Sequence, residues 1–231
     1  MDTIVQQYMT HYGVDRNVQD FLSEPLKMYI NGERCLSSTG GQMVSLEAST
    51  GGVLAHVPEG SVDDVDRAVQ AAREALSGAW AETKANEREK MLLKLADLIE
   101  RDAQLLAQIE SLDNGKAVGP CVDIDILGGA DLVRFMAGLT TKIQGATRQV
   151  SAPGEHLAMT LREPVGVVGA IVPWNWPFNM AMWKMAAPLA AGCTLVVKPA
   201  QQTSLSLLFF VSLIEEAGFP KGVINIVTGR G

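Results

Sequence analysis

The last third of the chain alternates apolar strands with helices, and this pattern constrains the fold more than any other feature. Uninterrupted apolar runs at VGVVGAIV (165–172), TLVVK (194–198) and VINIV (223–227) are typical of strands buried on both faces of a parallel sheet. The segments between them predict a helix that ends at Gly192 and a helix that begins at a serine cap at position 204. Strand, helix, strand, helix, strand predicts an α/β fold with a doubly wound, Rossmann-like parallel sheet.

The preceding residues divide into three stretches. Residues 1–24 are polar and weakly patterned, which predicts a surface arm; residues 27–57 hold short β-like runs separated by glycine turns, which predicts a β-rich stretch of antiparallel strands. Residues 61–142 predict a helical layer, with capping signatures at Ser61 and Asn86 and a helical stop after Asn114. We therefore expect an N-terminal arm (1–26) and a cofactor-binding domain (27–231), whose sheet is incomplete on its C-terminal side and leaves VINIV without a neighbour.

The composition excludes several classes of protein. A net charge of −7 disfavours a nucleic acid or an anionic membrane as partner. Residues 165–183 carry no formal charge over a length that could span a membrane, but their glycines and prolines make a continuous lipid-exposed helix implausible. The three cysteines lack disulfide or metal spacing, no metal site is indicated by the scattered histidines, and no signal peptide is visible, so we expect a cytoplasmic protein.

Unusual residues follow each of the three strands. The first strand runs into PWNWP (173–177), the second ends at Lys198, and the third leads into TGRG (228–231). The carboxyl ends of parallel strands meet at one edge of the sheet, where ligands bind in such folds, so the pattern predicts a cofactor site. The alternatives are that the two tryptophans pack in the core and that Lys198 is a surface lysine.

These segments resemble the aldehyde dehydrogenase superfamily, of the general or betaine-aldehyde type. The resemblance lies in PWN followed by KPA, in EEAGFPKGVINIVTGRG, and in the upstream segments ESLDNGK (110–116), REPVG (162–166) and YINGE (29–33). It covers nearly the whole chain from about residue 27, and the usual G-x-G-x-x-G fingerprint is absent. The resemblance implies oxidation of an aldehyde to a carboxylic acid with NAD or NADP as cofactor.

The resemblance also implies roles for single residues. Asn175 would be the catalytic oxyanion donor, and the substrate channel would be lined by Trp176, Met180 and Trp183. The remaining implied positions bind the cofactor. They form the wall of the cofactor cleft, contact the ribose, or begin the loop that approaches the pyrophosphate. They are Ile171, Val172, Pro173, Trp174 and Asn175, then Lys198, Pro199, Ala200 and Gln201, then Gly229 and Gly231.

The family's chemistry also needs a thiolate that forms a thiohemiacetal and a base that activates water. Both family residues lie beyond the position equivalent to Gly231, and Cys193, at the start of a buried strand, is interpreted as a packing residue. We therefore expect the chain alone to be inactive, and the alternative function is a non-catalytic module that binds dinucleotide or pairs with full-length subunits. A family member that makes acyl-CoA is a third alternative.

Two further expectations follow from the resemblance. The strand around 157–163 is similar to the family's oligomerisation arm, so the intact protein is expected to be a homo-oligomer. Gln201 stands where the family more often has an acid that repels the 2′-phosphate of NADP, which favours relaxed use of NAD and NADP. The alternative is that Gln201 turns outward and that selectivity arises elsewhere.

Overall fold

The computed structural model describes residues 1–230, which form an α/β fold, as predicted. Ten α-helices lie within these residues, together with a π-helix (Cys121–Ile126) and a 3-10 turn (Thr140–Lys142). The helices are α1 (Thr3–His11), α2 (Arg16–Ser23), α3 (Val62–Ser77), α4 (Ala79–Glu82), α5 (Ala85–Arg101), α6 (Ala103–Asn114), α7 (Val118–Pro120), α8 (Leu127–Leu139), α9 (Pro177–Ala191) and α10 (Leu205–Ala217). None of the helices in this part of the chain is long and apolar enough to cross a membrane.

The described strands form one five-stranded sheet and two small hairpins. The strands are β1 (Met28–Ile30), β2 (Glu33–Cys35), β3 (Gln42–Leu46), β4 (Val53–Pro58), β5 (Thr147–Arg148), β6 (Ala158–Met159), β7 (Val167–Ile171), β8 (Thr194–Lys198) and β9 (Ile224–Ile226). The large sheet has the order β2-β1-β9-β8-β7, in which β7, β8 and β9 are parallel and β1 pairs antiparallel with β9. The antiparallel pairs β1–β2 and β3–β4 confirm the predicted β-rich stretch.

The sheet corrects one expectation about its open edge. VINIV was expected to lack a neighbour, but β9 lies between β8 and β1, because Tyr29 of β1 pairs with Ile226. Among the described strands, β2 and β7 form the two edges of this sheet. The apolar sequence of β7 predicts burial on both faces, but only Ala170 of this strand is buried, and Ile171, at its end, is 73% exposed. A strand edge with unpaired backbone groups is open to pairing with another chain.

The N-terminal residues are also different from the prediction. Residues 1–24 were expected to form a surface arm, but α1 and α2 bury apolar side chains in the main core: Val5, Met9, Val18 and Leu22. These side chains recur three or four positions apart, so one face of each helix packs inward. The signal was missed because each helix has only two buried residues. The division of the chain at residue 26 stays a prediction.

The helical layer follows the sequence signals closely, with two exceptions. Ser61 and Asp64 form the predicted capping box at the start of α3, and Gly115 ends α6 in the left-handed conformation with φ of 88°. The second capping signature was placed at Asn86, but α5 begins at Ala85, and the Glu87 carboxylate accepts the backbone N–H of Lys84 at 2.8 Å. The apolar residues from Met91 to Ile109 recur at helical spacing, which predicts one continuous helix, but they belong to two helices, α5 and α6, which are separated at Asp102.

Candidate functional site

The three strand ends singled out from the sequence lie side by side at one edge of the sheet. Ile171 of β7 is in register with Lys198 of β8, and Val197 is in register with Ile226 of β9. The backbone pairing continues past the strands, since the Val172 N–H donates to the Lys198 carbonyl at 3.0 Å. The segments that follow β7, β8 and β9 therefore leave the sheet next to one another, as the parallel arrangement predicts.

Lys198 extends its ammonium group over the end of β9. Its Nζ donates to the carbonyl oxygens of Pro199 and Gly229, both at 3.2 Å. Within residues 1–230 no carboxylate lies in salt-bridge distance of Nζ, and burial lowers the pKa of Lys198 below its ordinary value. A half-buried cation held only by neutral carbonyl groups retains the capacity to bind a hydroxyl or phosphate oxygen.

The segment after β9 is fixed by the end of β4. The Thr228 hydroxyl donates to the Pro58 carbonyl at 2.6 Å, and the Gly60 N–H donates to the Thr228 carbonyl at 2.8 Å. Arg230 forms an ion pair with Glu59, at 2.7 Å between Nε and Oε1. Gly229 thus lies buried beside Lys198, whereas Gly231, the other glycine assigned to this loop, lies outside the described residues.

The PWNWP segment lies on the surface instead of in the core. Trp174 is 59% exposed and Trp176 is 38% exposed, so core packing does not account for either indole. The Trp174 carbonyl accepts two hydrogen bonds, from Nδ2 of Asn114 at 2.7 Å and from the hydroxyl of Thr203 at 3.2 Å. Exposed indoles on a segment with a firmly held backbone are typical of a binding surface.

Asn175 lies between the two tryptophans, and its side chain is exposed. No hydrogen bond joins its amide to any other group of residues 1–230, although the backbone is held before it at Trp174 and after it at Phe178, whose N–H donates to Oε2 of Glu110 at 3.1 Å. An amide without an internal partner on a fixed backbone can donate to a ligand without first breaking a bond within the protein.

Helix α9 carries the predicted channel residues. Pro177 occupies its first position, where a missing N–H costs nothing, and Gly192 ends it in the left-handed conformation. Trp176 precedes the helix, and Met180 and Trp183 follow at spacings of four and three residues, which places all three on one face. Trp183 is 57% exposed and Met180 is half-buried, so this face presents an apolar surface beside Asn175.

A buried polar cluster lies beneath this loop and was not found from the sequence. Lys116 donates to Oδ2 of Asp125 at 2.6 Å, lies 3.9 Å from Oε1 of Glu110, and has its Nζ 4.4 Å from the centre of the Trp176 ring. The ligand atoms of Glu110, Cys121 and Asp125 lie within 4.8 Å of one another, and the Lys116 ammonium already serves as cation for the two carboxyl groups. The only sequence signal was ESLDNGK, which contains Glu110 and Lys116 but gives no hint of Asp125.

Gln201 is exposed, and no described hydrogen bond joins its side chain to Lys198. It lines an open cavity of about 480 Å³ together with residues of β3, Asp113 and Arg230. Pro199 is buried and Ala200 half-buried between these two positions. The structure therefore brings Lys198 to the sheet edge beside Gly229 and directs Gln201 toward a neighbouring cavity.

Comparison with known proteins identifies the family. Residues 36–231 match the model of the aldehyde dehydrogenase family. The chain belongs to this family. It is 48% identical in sequence to the aldehyde dehydrogenase of Bacillus cereus whose structure was solved as an NAD⁺ complex, with a TM-score of 0.91 over 94% of this chain and 44% of that chain.

Two further relatives show the same partial coverage. An aldehyde dehydrogenase of Enchytraeus buchholzi is 45% identical over 93% of this chain and 43% of its own length. Human aldehyde dehydrogenase 1A1 is 45% identical over 89% of this chain and 41% of its own length. The chain thus spans less than half the length of the curated relatives that it matches.

Proposed function

We propose that the protein containing this chain oxidises an aldehyde to a carboxylic acid with NAD or NADP, and that this chain supplies the cofactor edge and the oxyanion donor. The observation that carries the proposal is the Asn175 amide, which is exposed and has no described internal partner, on a loop anchored on both sides and next to the Lys198 edge of a parallel sheet. The family supports this chemistry, and a Bacillus cereus relative was solved with NAD⁺ bound.

The residues at the sheet edge fit a dinucleotide. Lys198 offers a cation whose described partners are two backbone carbonyls, which suits ribose hydroxyls or a phosphate. Ile171 and Trp174 present exposed apolar surface beside it, on which an uncharged ring can rest. We therefore assign the cofactor to residues 171–175, 198–201 and the loop that begins at Gly229. A nicotinamide bound there would supply the hydride acceptor that oxidation of the aldehyde requires.

Asn175 acts on the substrate oxygen. When a nucleophile adds to an aldehyde, the carbonyl oxygen gains negative charge, and an N–H donor already aimed at that oxygen stabilises the charge. The hydrogen bonds at Trp174 and Phe178 hold the backbone on each side, so little reorganisation of the donor is needed during the reaction. Trp176, Met180 and Trp183 then form the apolar wall along which an aldehyde approaches.

The nucleophile in this proposal comes from outside residues 1–231. Cys121 is buried, and burial together with nearby Glu110 raises the pKa of its thiol to about 12, so it is not a thiolate at neutral pH. Cys193 is 3% exposed and lies immediately before β8. Cys35 lies on β2, four strands from β7, which corresponds to about 19 Å at the usual strand spacing.

Other aspects of the whole protein are proposals of the same kind. The β5–β6 hairpin projects exposed apolar residues such as Leu157 and Leu161, 75% and 76% exposed, and we propose that it pairs with a second subunit in a homo-oligomer. We place the protein in the cytoplasm, since its three cysteines are unpaired.

The test uses the full-length protein that contains this chain, assayed with a panel of aldehydes. Asn175→Ala should lower kcat by about 10² to 10³, the usual loss for one oxyanion donor, with nearly unchanged affinity for the cofactor. The exposed Asn86→Ala on α5 is the matched control and should leave both quantities unaltered.

Three other outcomes would redirect the proposal. Weaker cofactor binding with normal kcat in Asn175→Ala would mean that the loop contacts the cofactor but takes no part in catalysis. Dinucleotide binding without any turnover by the wild-type protein would favour a binding or subunit-pairing module. Formation of an acyl-CoA in the presence of CoA, detected by mass spectrometry, would replace the acid as product.

A further inference from the structure

The turn that carries Asn175 is joined to the buried cluster of Glu110, Lys116 and Asp125 by three kinds of contact. Oε2 of Glu110 accepts the backbone N–H of Phe178, and the Lys116 ammonium lies over the ring of Trp176. The third contact comes from Asn179, whose Nδ2 donates to the carbonyl of Ile124 at 3.1 Å and, more weakly, to that of Asp125 at 3.4 Å. The first turn of α9 is therefore held by α6, by the loop after it and by the π-helix together.

The charges within the cluster balance only if Glu110 holds a proton. Glu110 and Asp125 are 0% and 1% exposed, and Lys116 is the only cation bonded to them among the described residues. Lys116 forms its short contact with Asp125, at 2.6 Å, and lies 3.9 Å from Glu110. Two buried carboxylates sharing one ammonium group would leave a net negative charge in a medium of low polarity, which is strongly unfavourable.

One atom of Glu110 supports the same assignment. Its Oε2 accepts the Phe178 N–H, but its Oε1 is buried and has no donor in the described structure. A protonated Oε1 becomes a donor, and the carboxylate of Asp125 is the nearby acceptor. Burial and the Asp125 charge raise the pKa of Glu110 well above its ordinary value, and the Cys121 thiol, the remaining titratable group of the cluster, is also neutral.

We propose that Glu110, Lys116 and Asp125 form a positioning unit for Asn175, in which protonated Glu110 bridges Asp125 and the Phe178 amide while Lys116 holds Trp176. The unit touches neither substrate nor cofactor and acts through the backbone of residues 176–178. Ionisation of Glu110 removes the bridge to Asp125 and sets two carboxylates against each other, which displaces the turn. The amide of Asn175 then leaves the position at which it meets the substrate oxygen. This inference rests on the proposed function.

The informative pair of variants is Glu110→Gln and Glu110→Ala, in the full-length protein. Glutamine mimics the protonated acid, because its oxygen can accept the Phe178 N–H while its amide donates to Asp125. Glu110→Gln should retain kcat near the wild-type value, whereas Glu110→Ala should lose about 10- to 100-fold, the scale of a small misplacement of a catalytic group. The KM for the cofactor should change in neither variant.

The pH profile separates positioning from a simple structural role. Wild-type kcat should fall on the alkaline side as Glu110 loses its proton, and Glu110→Gln should lack that fall. The control Glu82→Gln, an exposed acid on α4, should keep the wild-type profile. Equal losses of kcat in Glu110→Gln and Glu110→Ala, no loss in either, or the same alkaline fall in wild type and Glu110→Gln would each overturn the inference.

A fluorescence measurement tests the unit without any turnover. The signal of Trp176 is obtained as the difference between proteins with and without Trp176→Phe, since Lys116 lies against that ring. We expect it to change with alkaline pH in wild type and to stay constant in Glu110→Gln; a constant signal in both would refute the coupling. If the fluorescence behaves as expected but no aldehyde is oxidised, the proposed function fails while the proton-dependent coupling to the turn stands.

Discussion

Asp113 should make the stability of this protein fall as the pH rises through the mildly acidic range. The carboxyl group is buried at the end of α6, where Oδ1 accepts the Ser45 hydroxyl at 2.6 Å and Oδ2 accepts the Leu205 N–H at 2.9 Å. Burial outweighs these two hydrogen bonds and raises the pKa of Asp113 from 3.8 to about 7. The folded state therefore keeps a proton that the unfolded chain releases.

The size of this loss in folding stability follows from proton linkage. Between the unfolded pKa of 3.8 and the folded pKa of about 7, the folded state binds more protons, so its stability is greatest at low pH and is lost as pH rises. Each pH unit in this interval costs up to about 1.4 kcal/mol, and the cost falls as the folded group begins to titrate, so Asp113 alone should remove about 2 kcal/mol between about pH 5 and 7. Above the folded pKa this residue contributes no further loss.

The variant Asp113→Asn separates the contribution of Asp113 to the pH dependence of stability from that of the other titratable groups. Asparagine can accept the Leu205 N–H with its oxygen and donate to the Ser45 hydroxyl with its NH₂ group, so it keeps both contacts and cannot titrate. The assay is urea unfolding of the chain at several pH values, followed by tryptophan fluorescence, since Trp80 is 2% exposed. The difference in slope between variant and wild type is the quantity to compare, because Glu110 titrates in the same direction.

The expected result is a flatter dependence of the unfolding free energy on pH in Asp113→Asn, by about 1 kcal/mol per pH unit. Asp66→Asn, which alters an exposed carboxylate on α3, should reproduce the wild-type slope. If Asp113→Asn has the wild-type slope, Asp113 is ionised in the folded protein and the argument from burial is wrong.

Two further predictions concern the cofactor and the open edge. In the full-length protein, Gln201→Glu should lower kcat/KM for NADP relative to NAD by more than about tenfold. A carboxylate within about 6 Å of a 2′-phosphate repels it by more than about 1.4 kcal/mol, which corresponds to that factor. A wild-type protein that already rejects NADP as strongly as the variant would contradict this prediction. Ile171→Lys should reduce self-association of the 231-residue chain in light scattering, because it places a charge on the exposed end of edge strand β7. Unchanged association would show that chains meet elsewhere.

Features that depend on neighbouring residues were predictable from the sequence. The Ser61–Asp64 capping box and the glycine stops at Gly115 and Gly192 are formed by groups a few residues apart, so the local pattern contains all the needed information. The same holds for the alternation of strand and helix from residue 165, which fixes the parallel pairing of β7, β8 and β9.

Features that depend on distant residues were not predictable in the same way. The order of strands places β1 beside β9 through a single aligned pair, Tyr29 and Ile226, which no local pattern records. The start of α10 shows the same limit: Ser204 was expected to cap it, but the Ser204 hydroxyl has no described partner, and Asp113 accepts the Leu205 N–H from 92 residues away. The cluster of Glu110, Lys116 and Asp125 meets the Asn175 loop through a contact of this distant kind, since Phe178 lies 68 positions after Glu110.

The fixed conformation of the Asn175 loop depends on several contacts that contribute similar free energies. Fixing the backbone of residues 173–177 costs about 5–10 kcal/mol in conformational entropy. Four hydrogen bonds, at the Trp174 carbonyl twice, the Trp176 carbonyl and the Phe178 N–H, contribute about 4 kcal/mol. The two prolines and the Lys116–Trp176 contact add about 2–3 kcal/mol. The entropic cost and the contact energies nearly cancel, so each of these contacts is needed to keep the loop ordered. Loss of the Glu110 contact alone is therefore enough to loosen the loop, although Asn114 and Thr203 still hold its other end.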